Sequence, residues 1–103
     1  MSIDPQKMMK MAAQMQADMA RAQEELAAAE VTGTAGGGMV TATMSGSGEL
    51  RAVKIDPQAV DPDDVELLED MVVAAIAEAK KNADALQQQL MGGITQGINL
   101  PGF

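Results

Sequence analysis

Apolar and polar residues alternate with a helical period in the first third of the chain. Within residues 4–30 the apolar positions are spaced four and three apart without a break, at Met8, Ala12, Met15, Met19, Ala22, Leu26 and Ala29. This spacing predicts a helix over residues 4–30 with a narrow, heptad-like apolar seam. Asp4 and Pro5 suit its N-cap and first helical position. A helix of about 40 Å is long for so small a domain, so we expect part of it to project.

The pattern changes to a period of two in residues 31–55. Val40, Ala42 and Met44 alternate with threonines, which predicts a half-buried strand. Glycine-rich turns flank this segment, and a further strand is predicted on each side of it. In the third strand, Arg51 is predicted to share a face with Val53 and Ile55. Residues 31–55 are therefore expected to form a three-stranded antiparallel sheet that a helix or another sheet must cover.

A second helix is predicted over residues 61–91. Its apolar stripe recurs at helical spacing, at Val65, Leu68, Val72, Ile76, Ala79, Ala83, Leu86 and Leu90. Asp61 suits the N-cap and Pro62 the first helical position, while Gly92 and Gly93 are expected to end the helix. Residues 92–103 are predicted to be a flexible, glycine-rich tail. The fold class is α+β, one domain over residues 1–103 in the order α-β-β-β-α.

The composition excludes much catalytic chemistry. The 103 residues include no His and no Cys, and the single aromatic residue is Phe103. Thiolate metal sites, a Cys nucleophile and the commonest general base are therefore absent. The Gly36–Gly38 run lacks the Lys-Ser/Thr that follows a phosphate-binding glycine loop. We expect neither an enzyme, nor a cofactor, nor a metal site, nor a small-molecule substrate.

The apolar residues indicate a thin core. They make up 47% of the chain but are mostly Ala and Met, so large side chains to anchor the sheet are few. An uncovered sheet face and two apolar stripes favour a partner surface, and we expect a homodimer. The residues predicted at its interface are Val40, Ala42, Met44, Leu68, Val72 and Ile76. The alternative is that the two stripes pack on each other within one monomer.

No segment has the pattern of a signal peptide or a membrane span. The longest apolar run, residues 71–77, is far shorter than the roughly 20 residues needed to cross a bilayer. We therefore expect a cytoplasmic protein without a membrane partner.

Two stretches resemble a known family. VTGTAGGGMVTATMSGSGELRAVKIDP at residues 31–57 and DPDDVELLEDMVVAAIAEA at residues 61–79 are similar to the YbaB/EbfC nucleoid-associated proteins. MQADMARAQEEL in the first helix and the closing LPGF also fit. The resemblance implies a tweezer-like homodimer with projecting helices. It also implies binding to double-stranded DNA with little sequence preference, and a role in nucleoid organisation and gene regulation.

The excess of acidic residues disfavours electrostatic attraction of the whole protein surface to DNA. The net charge is −8, and residues 61–90 alone hold eight acidic and two basic side chains. Any phosphate contact must therefore come from a local basic cluster. The candidate DNA-binding residues are Lys7, Lys10, Arg21, Arg51, Lys54, Lys80 and Lys81. Each of them, taken singly, has an alternative interpretation as a solvated surface charge or as the partner of a nearby carboxylate.

The methionines of the first helix support an alternative function. Met8, Met9, Met11, Met15 and Met19 form a pliable apolar cluster, although methionine at this spacing is more often part of a helical seam. The alternative is a dimeric protein-interaction module whose Met-rich helical arms hold an apolar partner, without nucleic acid.

Overall fold

The computed structural model describes residues 4–96, and the side chains of residues 4–92. Its elements are α1 (Pro5–Ala28), β1 (Glu30–Ala35), β2 (Val40–Ser45), β3 (Leu50–Ile55), a short 3₁₀ helix (Pro57–Ala59) and α2 (Val65–Gln96). The predicted order α-β-β-β-α is confirmed. Most of the predicted tail, residues 97–103, lies outside the described residues.

Helix α1 begins where the sequence predicts. The Asp4 carboxylate accepts a hydrogen bond from the Gln6 backbone N–H at 3.0 Å, and Pro5 occupies the first turn. The helix ends at Ala28, two residues before the predicted end, because Ala29 is extended and Glu30 already pairs with Ser45 in the sheet.

The sheet is an antiparallel meander in the order β1-β2-β3. Gly33, Ala42 and Val53 lie side by side across the three strands. The β1–β2 turn has positive φ angles at Gly36, Gly37 and Gly38, a conformation that favours glycine.

A register shift interrupts the pairing of β2 with β3. Thr43 pairs with Ala52 and Met44 with Leu50, so Arg51 is the extra residue of a β-bulge. The strict alternation predicted through Arg51, Val53 and Ile55 is therefore interrupted at Arg51. A bulge redirects its side chain, and the Arg51 guanidinium reaches the end of α1.

Helix α2 differs from its predicted bounds at both ends. It starts at Val65, because Asp61 and Pro62 form a separate turn in which the Asp61 carboxylate accepts from the Asp63 N–H at 2.9 Å. Asp64 is the actual capping residue, accepting from the Leu67 N–H at 3.3 Å. The helix continues past Gly92 to Gln96, because a glycine weakens a helix by only about 1 kcal/mol and does not have to end it.

The core lies between α2 and the sheet. Helix α2 packs chiefly on β1 and β2, and the buried residues at this contact are Val40, Ala42, Met44, Ala75, Ala79 and Ala83. Gly33 fits directly against the α2 backbone at Ala75 and Ala79. Three predicted interface residues, Val40, Ala42 and Met44, are thus covered by the chain's own helix. That placement corrects their assignment to a dimer contact.

The fold is elongated. Its radius of gyration is 20.2 Å, against about 13 Å for a compact domain of 100 residues. Its accessible surface is 7711 Å², against about 5,500 Å² for a compact monomer of 10.7 kDa. Only Ala22 and Leu26 of α1 are buried, so the earlier turns of this helix project from the body.

Candidate nucleic-acid interface

The projecting part of α1, residues 5–17, is called the arm. Every side chain of the arm is exposed, including those of Lys7 and Lys10. At 3.6 residues per turn, Lys7, Lys10 and Arg21 lie within an arc of about 60°. The predicted placement of these three cations on one side of α1 follows directly from the observed helix.

Basic charge on the arm is little opposed, as it also is in residues 31–55, where Arg51 and Lys54 accompany one acidic residue, Glu49. Residues 4–17 contain two lysines and one acidic residue, Asp4, which serves as the N-cap. The next carboxylate is Asp18, which lies 3.7 Å from the Arg21 guanidinium in an exposed ion pair. Exposed pairs of this kind are weak, so Arg21 remains available to a phosphate, but with less free charge than Lys7 or Lys10.

Lys80 and Lys81 occupy a different environment. Both are exposed on α2 and border an open depression that Asp84 also lines. Glu78 lies two positions before Lys80, and α2 carries five carboxylates against these two lysines. A phosphate approaching these lysines meets carboxylates at similar range, which weakens the site.

The two basic residues of β3 have separate roles. Arg51 donates through Nη2 to the Ala27 carbonyl oxygen at 2.6 Å, so part of its guanidinium is committed within the fold. Lys54 pairs across the sheet with Thr41, and both border an open depression beside Asp56. Neither residue lies on the arm.

The structure does not gather the seven basic residues into one cluster. The turn of α1 containing Arg21 lies beside Leu90, whereas Leu26 and Leu86 both approach Gly46. The two helices therefore run antiparallel, and the arm points away from the segment of α2 that contains Lys80 and Lys81. Within one chain, Lys7 and Lys10 form one group, and Lys80 and Lys81 form another.

A model of the YbaB/EbfC DNA-binding family matches residues 1–98 of the sequence. The chain belongs to this family.

Relatives in the YbaB/EbfC family are similar over nearly their whole length. A nucleoid-associated protein from Streptomyces avermitilis is 57% identical, over 95% of this chain and 89% of the relative. One from Roseiflexus sp. is 50% identical, over 98% of this chain and all of the relative. The crystal structure of the uncharacterized protein HP0035 from Helicobacter pylori superposes with a TM-score of 0.79 at 21% identity, covering 91% of this chain and 99% of that one. This last match supports the fold alone.

The methionine seam of this YbaB/EbfC-family chain is only partly shielded. Met15 and Met19 on the seam are 38% and 41% exposed, whereas Met9 and Met11 beside it are 73% and 72% exposed. Met8, near the start of the arm, is 54% exposed. The seam thus continues the buried Ala22–Leu26 contact outward along an apolar surface that is open in a single chain.

Further apolar side chains are open to solvent on α2 and on the strand that α2 does not cover. Leu68, Val72 and Ile76 follow one another at i, i+4 and i+8 on α2 and are only partly buried. On the edge strand β3, which α2 does not cover, Leu50 and Ile55 are 44% and 37% exposed. We call these five residues the uncovered face. Three of them were predicted at the dimer interface.

Sequence reasoning missed several residues that hold the elements together. Asn82 donates through Nδ2 to the Thr32 carbonyl oxygen at 2.7 Å, and Gln87 through Nε2 to that of Gly46 at 2.8 Å. Asn82 follows two lysines and Gln87 begins a run of three glutamines, so both lie in a largely polar segment of α2. Neither residue stands out from its polar neighbours, so the sequence contains no signal for these contacts.

Two further properties concern only the described part of the chain. Residues 4–96 contain no cluster of acidic side chains suited to a metal ion. No helix in that range is long and apolar enough to cross a bilayer.

Proposed function

We propose that this protein is a homodimer that binds double-stranded DNA with little sequence preference and alters its conformation. In that role it acts in the cytoplasm at the nucleoid, contributing to nucleoid organisation and gene regulation. Membership of a DNA-binding family and relatives named as nucleoid-associated proteins support this proposal. The observation that carries it is the separation of the exposed lysines of the arm from the acidic body.

This separation reconciles DNA binding with a net charge of −8. Lys10 lies about 16 Å along the helix axis beyond Arg21, where α1 meets α2. The Debye length at physiological ionic strength is about 8 Å. A phosphate at the arm therefore interacts mainly with Lys7 and Lys10, while the carboxylates of α2 are screened.

The chemistry of the arm also explains a low sequence preference. Lysine ammonium groups meet phosphates as point charges, and phosphate contacts contain no direct information about base sequence. No aromatic side chain is present on the arm to stack on a base.

Gel-shift titrations across a salt series test this function. With four arm lysines per dimer contacting phosphates, affinity should fall by roughly 100-fold between about 50 and 200 mM salt. Duplexes of unrelated sequence should bind with similar affinity. The absence of any shift at low salt would reject the proposal, and a strong preference for one sequence would reject its non-specific character.

The dimer is proposed to form through the uncovered face. Of the eight buried hydrophobic residues in the described part of the chain, five are alanines, so a single subunit has little bulky core. Packing Leu68, Val72 and Ile76 of one copy against the other would bury apolar surface that a monomer leaves in water. The projecting arms of the two copies would then form the two sides of the tweezers.

Val72→Asp is expected to dissociate the dimer or lower its melting temperature, because it places an unpaired charge in an apolar contact. Light scattering gives the mass, and circular dichroism gives the thermal transition. Val73→Asp is the matched control, since Val73 is 66% exposed on another side of the helix. Equal masses and equal melting temperatures for the two variants would exclude the uncovered face from the interface.

The exposed methionine seam favours a second candidate, a protein-interaction module whose arms hold an apolar partner. Flexible thioether side chains suit variable apolar surfaces. Affinity capture from nuclease-treated lysate separates the candidates. A partner retained without DNA, together with no gel shift at low salt, would favour the interaction module.

A further inference from the structure

Three hydrogen bonds join the β2–β3 hairpin to the two helices, and two of them hold the end of α1. Arg51 Nη2 donates to the Ala27 carbonyl at 2.6 Å, and the Gly46 N–H donates to the Ala29 carbonyl at 3.0 Å. Gln87 of α2 completes the set by donating to the Gly46 carbonyl at 2.8 Å. We call Ala27, Ala29, Gly46, Arg51 and Gln87 the joint. It ties both helices to one hairpin.

Close steric contact reinforces the joint. A Cβ atom added at Gly46 would lie 2.7 Å from the Leu26 carbonyl oxygen and 3.1 Å from a methyl carbon of Leu86. The hairpin backbone is therefore in direct contact with the last turns of α1, and the buried Leu26 has little room to shift.

Arg51 provides a charged hydrogen-bond donor at the C-terminal end of α1. The last four carbonyl groups of an α-helix have no partner within the helix, and the partial negative charge there favours a cation. Ala27 contributes one of these carbonyls, and the bulge in β3 gives Arg51 the position to reach it. The bond has a charged donor, which makes it stronger than a neutral one.

The joint determines the direction of the long projecting part of α1. Beyond Ala22 the described turns of α1 have no buried residue, so the direction of the arm is set by its last two turns. From Ala22 to Pro5 the helix runs about 25 Å, so a tilt of about 10° at the joint moves the tip by about 4 Å. That displacement is comparable to the length of a hydrogen bond.

We propose that Arg51 is a positioning residue whose hydrogen bond to the Ala27 carbonyl sets the direction of the arm and thereby the location of Lys7 and Lys10. The consequence for DNA rests on the proposed function. The inference about the direction of the arm rests only on the contacts of the joint.

The chain contains no cysteine, which makes paired spin labels selective. The exposed positions Ala13 on the arm and Ala77 on α2 can be replaced by Cys, labelled, and mixed with excess unlabelled chain before double electron–electron resonance. The parent should give a narrow distance distribution. Arg51→Met should broaden it or shift its mean by about 4 Å, while Arg51→Lys, which retains one charged donor, should lie between the two.

Lys54→Met is the matched control, because it removes one positive charge from the same strand outside the joint. It should leave the distance distribution unchanged. Circular dichroism must show that each variant is folded, and if Arg51→Met is not, Arg51→Gln takes its place because its amide is too short to reach Ala27. A parent-like distribution in the folded variant at position 51 would overturn the proposal.

Duplex binding separates this inference from the proposed function. Arg51→Met should weaken binding more than Lys54→Met, although both remove one charge. If the parent binds no DNA but Arg51→Met still broadens the distances, the joint is established and the DNA function fails. If the parent binds DNA and the distances never change, the joint proposal fails alone.

Discussion

Replacing both arm lysines, Lys7→Glu and Lys10→Glu, should reduce duplex affinity by up to about 10³-fold at 0.1 M salt. The proposed dimer would lose four phosphate contacts, and each contact contributes close to one unit to the slope of log affinity against log salt. The slope should therefore fall by about four units. Fluorescence anisotropy with labelled duplexes across a salt series measures both quantities. Light scattering should show the dimer intact, because both residues are exposed and remote from the uncovered face.

The matched control reverses the other lysine pair, Lys80→Glu and Lys81→Glu. It changes the net charge by the same amount, on a helix that is already acidic. We expect a much smaller loss of affinity. Equal losses would mean that total charge and not the arm governs binding, and unchanged binding in the arm variant would move the contact surface elsewhere.

Gly33→Ala should destabilise the fold by about 3 kcal/mol. The added methyl group would overlap the α2 backbone at Ala75 and Ala79, which cannot move aside as a flexible side chain could. The helix would have to lift from β1, opening the contact between its alanines and β2. Urea denaturation followed by circular dichroism measures the change in the free energy of unfolding.

Gly92→Ala, in contrast to Gly33→Ala, is expected to stabilise the fold. Gly92 is helical, and among the described residues outside its own helix backbone no heavy atom would lie within 4 Å of a Cβ added there. We expect α2 to gain about 0.5–1 kcal/mol from the higher helix propensity of alanine. A Gly33→Ala variant as stable as Gly92→Ala would disprove the close approach of β1 and α2.

Local patterns were sufficient to predict the elements and their order. Periods of two and of 3.6 residues, together with glycine and proline positions, depend on each segment alone. The true start of α2 was missed because Asp61 and Asp64 are both good caps near a proline, and a local turn uses the first of them. The bulge at Arg51 was missed because it depends on pairing with β2.

The surroundings of the candidate site residues could be predicted from the sequence only in part. Alternation in β2 predicts that Val40, Ala42 and Met44 are buried, but it does not specify whether the same chain or a second copy covers them. The structure shows that α2 of the same chain does so. Likewise, the basic residues were identified by type, but only the relative direction of the helices separates Lys7 and Lys10 from Lys80 and Lys81.

The separation of positive and negative charge along the length of the molecule gives it an electric dipole moment. The arm carries two lysines toward one end of a molecule 73 Å long, whereas α2 carries five carboxylates and two lysines. In the field of a polyanion such a particle experiences a torque that turns its acidic side away. Encounters are thereby oriented before any contact forms, with the arm leading and α2 facing the solvent.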